Sequence, residues 1–273
     1  MGKQETIPAT LLKPDGDGPF PAIVMAHGCS GLGVRSTGWP YRWGREMVAQ
    51  GYVVVIPDSF STRGFPDGVC SSASKLRNTV NGPARASDMY GALAALRALP
   101  YVDGQRIGLM GASHGGWTTL SAMYVPLDSN TALAQAKKDG FAAAIAFYPS
   151  CSPRYGTWST SRPGPVGPVT AYSGVYQAIA PLLILTGEKD DWTPAIPCSQ
   201  LAERSREAGY PVAIKIYPGA HHGFDSDSRV RYAASVNNTN MPSGYGATIG
   251  GDATAWADAR KEVSAFFGKH LKR

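Results

Sequence analysis

The chain is 273 residues long, with 43% hydrophobic residues, 17% charged residues and a formal net charge of +6. This composition suffices for a full apolar core, and we predict a single domain over residues 1–273. No apolar run reaches the ~18 residues that a membrane helix needs. The lysines and arginines are scattered along the sequence, which indicates a solvated basic surface. Neither a nucleic acid nor a membrane is therefore an expected partner.

Apolar runs alternate with helix-compatible segments along most of the chain. Strands are predicted over 9–14, 21–27, 52–57, the run from 106 that leads into Gly111, 142–148, 181–186 and 212–217. Helices are predicted over 40–50, 81–99, 195–209 and 252–271, with another directly after Ser113. Because the strands are apolar nearly throughout, both faces of the sheet must be covered. The sequence therefore predicts an α/β fold, a mostly parallel sheet of about seven to eight strands flanked by helices on both faces.

Two long segments interrupt this alternation. Residues 149–178 are rich in proline, serine, threonine and glycine, which predicts a long loop beside the strand ends. Such loops in compact domains either face substrate or are disordered, and the sequence leaves both interpretations open. Residues 225–251 are polar and glycine-rich with little periodicity, so we expect irregular structure packed on the surface.

The segment around Ser113 carries a specific motif. Gly111-Ala112-Ser113-His114-Gly115 follows a predicted strand and precedes a predicted helix. This G-x-S-x-G pattern is typical of a nucleophile elbow, in which a sharp, strained turn holds the serine hydroxyl above the sheet edge. Glycines two residues to either side let the strand and the helix approach closely. We therefore predict that Ser113 is a nucleophile.

A serine hydroxyl is a weak nucleophile at neutral pH, so it needs a base, and the base needs a carboxylate that fixes its tautomer. Two adjacent acids, Asp190 and Asp191, follow one predicted strand. Two adjacent histidines, His221 and His222, follow the last predicted strand. The order serine, acid, histidine is the one that α/β hydrolases use. Spacing alone does not choose between the neighbours in either pair.

At these motifs the sequence resembles the α/β-hydrolase fold enzymes of the dienelactone hydrolase type. The resemblance covers about residues 21–225 together with the last helix. Its motifs are His27-Gly28-Cys29 with Gly31, Gly51-Tyr52 before the strand to Pro57-Asp58, Gly111 to Gly116, Gly187 with Asp190 and Pro194, and Gly219 to Phe224.

This resemblance implies roles for five residues. The family's nucleophile falls on Ser113, its acid on Asp190 and its base on His222. Its oxyanion-hole amides fall on Cys29 and His114. The name-giving enzymes carry cysteine at the elbow, so the match implies ester chemistry without implying dienelactone as the substrate.

The implied activity is hydrolysis of a small-molecule carboxylic ester or lactone through an acyl-enzyme, with no metal and no organic cofactor. Serine-bearing relatives include carboxylesterases, and some resemble the catalytic domains of prolyl-oligopeptidase-like peptidases. A serine peptidase is therefore the alternative function. A non-catalytic ligand receptor on the same fold is a third interpretation, which the presence of all three residue types disfavours.

Three further residues are candidates for the substrate pocket. Tyr148 and Trp192 follow strands at the same sheet edge, although aromatic residues there often belong to the core. Arg63, on the loop after Asp58, could meet a substrate carboxylate or simply lie on the surface. We interpret His27 as a structural histidine that braces its loop.

The four cysteines follow strands in pairs. Cys29 and Cys70 follow consecutive strands, and Cys151 and Cys198 follow the strands that end near residues 148 and 186. We predict the disulfides Cys29–Cys70 and Cys151–Cys198, with free buried cysteines as the alternative. Paired cysteines favour a periplasmic or secreted protein and free ones a cytoplasmic protein. Nothing in the sequence indicates an oligomeric state.

Overall fold

The computed structural model describes residues 5–32, 38–71, 79–128 and 130–272. Within these ranges the strands are β1 Ala9–Leu12, β2 Phe20–Ala26, β3 Val53–Pro57, β4 Val102–Ala112, β5 Ala143–Phe147, β6 Ser159–Ser161, β7 Ala171–Ser173, β8 Leu182–Gly187, β9 Val212–Tyr217, β10 Arg231–Asn237 and β11 Tyr245–Ile249. The α-helices are α1 Trp39–Ala49, α2 Gly82–Arg97, α3 His114–Met123, α4 Ala132–Lys138, α5 Ala195–Glu207 and α6 Ala253–Leu271.

Seven strands form the central sheet, in the order β1-β3-β2-β4-β5-β8-β9. Strand β1, at one edge, pairs antiparallel with β3, and the other neighbours pair in parallel. Strands β2, β3, β5 and β8 are buried along almost their whole length, as expected where helices cover both faces. The structure confirms the predicted mostly parallel sheet of about seven strands.

Two apolar clusters lie on opposite faces of this sheet. Ile23 and Met25 of β2 pack in the cluster that includes residues of α1 and α6. Their neighbour Val24 packs in the other cluster, which includes residues of α2, α3 and α5. The alternation follows from the two-residue repeat of a strand, whose side chains point to opposite faces in turn. The predicted α/β-hydrolase fold is thus present, with its helices on both faces.

The hairpin β10–β11 differs from the expectation of irregular surface structure over 225–251. These two strands pair antiparallel, and residues of β10 line a cavity that also contains Ser113. The pairing shifts between Ala233 and Asn237. Such an irregularity interrupts the alternation of inward and outward side chains. The period-two signal is therefore missing from the sequence, and the hairpin was not predicted.

The segment 149–178 is mostly loop, as predicted, with a short antiparallel pair formed by β6 and β7. Helix α4 was not predicted. No helix within the described ranges combines the length and the apolar character needed to cross a bilayer.

Both predicted disulfides are present. The sulfur atoms of Cys29 and Cys70 are 2.01 Å apart, and those of Cys151 and Cys198 are 2.04 Å apart. The first pair is partly exposed, whereas the second is buried. Each bridge joins segments that follow different strands. The first joins two loops, and the second joins the loop after β5 to the first turn of α5.

Candidate active site

Ser113 lies on the sharp turn between β4 and α3. Its φ of 57° and ψ of −116° are unusual for a residue other than glycine. A Cβ atom added to Gly111 would overlap the carbonyl oxygen of Gly115. A Cβ atom added to Gly115 would overlap the carbonyl oxygen of Ala26. Close backbone approach therefore requires glycine at both positions, which explains the spacing of the motif.

Ser113, His222 and Asp190 form a continuous hydrogen-bonded row. The Oγ atom of Ser113 lies 2.9 Å from Nε2 of His222. The Nδ1 atom of His222 lies 2.8 Å from Oδ2 of Asp190. Because an ionised carboxylate only accepts, Nδ1 donates to Asp190, which leaves Nε2 as the acceptor for the Ser113 hydroxyl. His222 and Asp190 are both buried, so little water competes for these bonds.

The neighbouring acid and histidine lie outside this row. The carboxylate of Asp191 accepts hydrogen bonds from the backbone nitrogen and the hydroxyl of Thr248, at 2.8 and 2.9 Å. The ring of His221 is partly exposed, with Nδ1 3.1 Å from the carbonyl oxygen of Lys189. The geometry thus favours Asp190 over Asp191 and His222 over His221, a choice that spacing in the sequence left open.

The carboxylate of Asp190 is held by the residues that follow it. Its Oδ1 accepts from the backbone nitrogens of Trp192 and Thr193, at 3.0 and 2.8 Å. The Thr193 hydroxyl lies 3.0 Å from Oδ2 of Asp190 and 3.0 Å from Nδ1 of His222. The sequence reasoning missed Thr193. An aspartate whose carboxylate caps the backbone two and three residues later is a recurrent turn, so the run Asp190 to Thr193 was the available signal.

Cys29 and His114, the two expected oxyanion-hole residues, line the same cavity as Ser113. His114 is the first residue of α3, so its amide lies at the positive end of the helix dipole. Cys29 lies in the loop after β2, where its carbonyl oxygen accepts from the backbone nitrogen of Val69 at 2.6 Å. Its bridge to Cys70 restrains the same loop.

His27 stabilises this loop through the hydrogen bonds of a neutral imidazole ring. Its Nδ1 lies 2.9 Å from the carbonyl oxygen of Gly28, and its Nε2 accepts from the backbone nitrogen of Ser59 at 3.2 Å. A carbonyl oxygen only accepts, so Nδ1 carries the proton and Nε2 carries none. Complete burial, followed by the charge of Arg85, lowers the pKa of His27 well below its ordinary value. The structural interpretation of His27 agrees with these contacts.

Acid is expected to weaken the fold through His27. Below about pH 6.5 the unfolded chain binds a proton at this ring, whereas the folded chain does not because its pKa is lowered. The contribution of the neutral His27 ring to the free energy of unfolding is therefore complete above the pKa of this ring in the unfolded chain. It is lost as the pH falls towards the lower pKa of the ring in the folded protein. Between pH 6.5 and 5 the slope is at most ~1.4 kcal/mol per pH unit. Urea unfolding of the oxidised protein over this range should show a smaller pH dependence for His27→Gln than for the wild type.

Two cavities meet at Ser113. The smaller has a volume of about 310 Å³ and has a mixed lining. Val69, Trp117 and Pro153 are among its apolar residues, and Asn81 and Asn240 are among its polar ones. The larger has a volume of about 580 Å³, and its lining includes His222 and residues of β10. Trp192 lines both cavities. A substrate bound at Ser113 therefore has room on two sides.

Two of the three candidate pocket residues lie at these cavities. The Tyr148 ring lies 4.6 Å from the His222 ring, and the Trp192 ring lies 4.7 Å from it. The Tyr148 hydroxyl donates to Oδ1 of Asp225 at 2.8 Å. Burial, followed by the charge of Asp225, raises the pKa of Tyr148 well above its ordinary value, so the hydroxyl stays protonated. Asp225 is fully buried and also accepts from the indole nitrogen of Trp43. Sequence reasoning missed this carboxylate.

Arg63 is not at the site, so its interpretation as a substrate-pocket residue was wrong. Its guanidinium binds both carboxylate oxygens of Asp88, at 2.7 and 2.9 Å, and lies 2.8 Å from Glu5. These residues line a separate crevice between β3 and α2. Two carboxylates therefore hold the side chain away from Ser113, and neither lies near Arg63 in the sequence.

Comparisons with known proteins agree with this fold. Residues 7–271 match the model of the dienelactone hydrolase family. A Synechocystis sp. protein named "Putative carboxymethylenebutenolidase" is 25% identical over 271 residues, which cover 96% of this chain and 91% of that protein.

Among solved structures, esterase 2 of Thermogutta terrifontis, phosphoramylated by tabun, superposes with a TM-score of 0.58 and 17% identity, over 96% of this chain and 88% of the other. Dipeptidyl peptidase 4 of Porphyromonas gingivalis gives a TM-score of 0.62 and 21% identity over 97% of this chain, but only 34% of the peptidase. The two structures share the fold with this protein. By its family match, the chain is a hydrolase that belongs to the dienelactone hydrolase family.

Proposed function

We propose that the protein is a serine hydrolase that cleaves carboxylic esters or lactones through an acyl-enzyme. The row from Ser113 Oγ through His222 to Asp190 Oδ2 carries this proposal, because it joins nucleophile, base and orienting carboxylate at hydrogen-bond distances. The row opens on cavities of a size that suits a small molecule.

In the first half-reaction, Ser113 Oγ attacks the ester carbonyl carbon while His222 Nε2 takes the hydroxyl proton. The carbonyl oxygen becomes negative and is bound by the backbone amides of Cys29 and His114. The tetrahedral intermediate then collapses. The bond to the alcohol oxygen breaks, and the alcohol leaves with the proton from His222.

In the second half-reaction, His222 removes a proton from water as the water oxygen attacks the acyl-enzyme. The acid leaves, and the proton returns to Ser113. Asp190 holds the imidazole in the required tautomer and stabilises its positive charge. The Thr193 hydroxyl contacts both Asp190 and His222, and so it helps to hold the two side chains in position.

The two cavities suggest where each half of the substrate binds. His222 lines the larger cavity, so the leaving alcohol and the incoming water belong on that side. The acyl group then occupies the smaller cavity, whose lining includes Trp117 and Trp192. A volume of about 310 Å³ suits a compact acyl group, so we expect short acyl chains to be preferred.

A series of p-nitrophenyl esters from acetate to dodecanoate tests the proposal, together with peptide p-nitroanilides and labelling by a fluorophosphonate. We expect labelling at Ser113 and the highest kcat/KM with short esters. Labelling with cleavage of the peptide substrates alone would contradict ester hydrolysis and support a peptidase. Absence of both labelling and turnover would contradict catalysis altogether and support a ligand receptor.

The two disulfides are expected to differ in their effect on turnover. Replacing either pair by alanine should lower the free energy of unfolding by about 2–5 kcal/mol. The pair Cys29→Ala and Cys70→Ala should also lower kcat, because Cys29 supplies an oxyanion amide from the loop that this bridge restrains. The pair Cys151→Ala and Cys198→Ala should keep kcat within about twofold of the wild-type value. This holds when kcat is measured below the melting temperature of the variant. Equal losses of kcat in both variants would contradict this difference.

A further inference from the structure

Arg85 is a fully buried arginine beside the candidate site. It lies in the first turns of α2, and its side chain reaches the loop after β2 and the start of α3. Nη2 donates to the carbonyl oxygen of His27 at 2.9 Å, and Nη1 donates to Nδ1 of His114 at 2.7 Å. The guanidinium also lies over the Phe60 ring, 4.8 Å from its centre. Arginine is rarely buried so completely unless it is paired with an acid.

No such acid contacts it. Within the described ranges, no carboxylate oxygen lies within 4.0 Å of the Arg85 guanidinium. Asp88 is bound by Arg63, and Asp58 accepts from the backbone nitrogens of Phe60 and Ser61. Burial lowers the pKa of Arg85 to about 9, so the group is still charged at neutral pH. The protein interior thus holds a positive charge without a direct counter-charge, at a considerable desolvation cost.

The two groups that Arg85 binds flank the two proposed oxyanion amides. The His27 carbonyl comes two residues before Cys29, and His114 directly follows Ser113. Because arginine only donates, Nδ1 of His114 is the acceptor, and a neutral His114 ring carries its proton on Nε2. The same ring packs against Phe60 and Trp117, with centroids 5.6 and 5.2 Å away. One guanidinium therefore connects the two segments whose amides must keep a fixed relative position to bind an oxyanion.

We propose that Arg85 is a positioning residue for the oxyanion hole. It fixes the loop of Cys29 relative to the start of α3, and it adds positive charge behind the amides that receive the negative carbonyl oxygen. Preorganised charge and dipoles in a buried site stabilise a developing oxyanion more strongly than they would in water. This inference rests on the proposed acyl-enzyme chemistry.

The test compares Arg85→Met and Arg85→Lys with Lys137→Met as the matched control. Lys137 is also a buried basic residue, and its Nζ donates to the carbonyl oxygens of Ser121 and Tyr124 at 2.9 and 2.8 Å. It lines neither cavity at Ser113. Two readouts are measured below the melting temperature of every variant. They are the rate constant for labelling of Ser113 by a fluorophosphonate, and kcat and KM for p-nitrophenyl acetate.

We expect Arg85→Met to lower both the labelling rate constant and kcat at least about tenfold, since loss of one oxyanion donor costs about 10²–10³ in kcat. KM should change less than about threefold, because the contacts matter chiefly in the transition state. Arg85→Lys, which keeps the charge but not the planar fork, should fall between Arg85→Met and the wild type. Lys137→Met should retain wild-type kcat.

Wild-type labelling and kcat in Arg85→Met would overturn the inference, as would an equal loss in Lys137→Met. If Arg85→Met does not fold, Arg85→Lys decides the question, because unchanged labelling in that variant would also overturn it. A wild-type protein that is labelled but cleaves no ester would contradict ester hydrolysis alone, since the labelling rates would still measure the effect of Arg85. A wild-type protein that is not labelled would contradict both proposals.

Discussion

Replacing Ser113 by alanine is expected to lower kcat for ester hydrolysis by about a million-fold, while the protein stays folded. The hydroxyl is the only part removed, and its Oγ is the atom that His222 Nε2 contacts at 2.9 Å. Without it no acyl-enzyme forms, and residual hydrolysis depends on the oxyanion hole and binding alone. Turnover of p-nitrophenyl acetate, with near-ultraviolet circular dichroism to check the fold, measures the effect.

Ser121→Ala is the matched control for this substitution. Ser121 lies on the same helix, α3, and its buried hydroxyl has no hydrogen-bond partner in the described part of the chain. Removing an unpaired buried hydroxyl is close to neutral for stability. We expect kcat within about twofold of the wild type for this variant. A folded Ser113→Ala protein that kept a hundredth or more of wild-type kcat would contradict Ser113 as the nucleophile.

Asp190→Asn is expected to lower kcat about 10⁴-fold, and Asp191→Asn is its neighbour control. The backbone nitrogens of Trp192 and Thr193 donate to Oδ1 of Asp190, so the oxygen of an asparagine should stay there and its NH2 group should face Nδ1 of His222. Nδ1 must then accept, which moves the ring proton to Nε2 and removes the acceptor for the Ser113 hydroxyl. The Asp191 carboxylate instead binds Thr248 of β11. Its loss should lower the free energy of unfolding by about 1–3 kcal/mol and change kcat far less.

Kinetic measurements on both variants decide between the two acids. The pH dependence of kcat/KM should be altered in Asp190→Asn and retained in Asp191→Asn, because only the first residue contacts His222. If Asp191→Asn instead lost the larger share of kcat, the assignment of the acid would be wrong. Equal small losses in both variants would contradict a carboxylate-oriented base at this position.

Local requirements made the sheet and the turn at Ser113 predictable from the sequence. Buried parallel strands need continuous apolar runs, and the turn needs glycine at Gly111 and Gly115 because backbone oxygens lie where side chains would be. Both constraints act within a few residues. The cysteine pairing was predictable for a different reason. The carboxyl ends of parallel strands meet at one edge, so residues that follow different strands can pair although they are 41 and 47 residues apart.

Other residues were unpredictable because their partners are distant in the chain. Arg63 binds Asp88, 25 residues away, so the sequence around it gave no sign of this pair. Arg85 binds His27, 58 residues away, and Asp225 binds Trp43, 182 residues away. The choice between Asp190 and its neighbour depended on loop conformation, which the residue spacing does not encode.

The hairpin β10–β11 contacts the two loops that carry Asp190 and His222. The Trp192 indole donates to the carbonyl oxygen of Asn237, in β10, at 2.8 Å. The backbone nitrogen of Gly250, directly after β11, donates to the carbonyl oxygen of His222 at 3.0 Å. Two strands outside the main sheet have little stability of their own.

Local unfolding of such a unit needs less free energy than unfolding of the sheet. Detachment of the hairpin would release the loops around Asp190 and His222 while the helices and the sheet stayed intact. The temperature at which activity is lost would then reflect the attachment of this hairpin, and stabilising the core alone would not extend the working range of the protein.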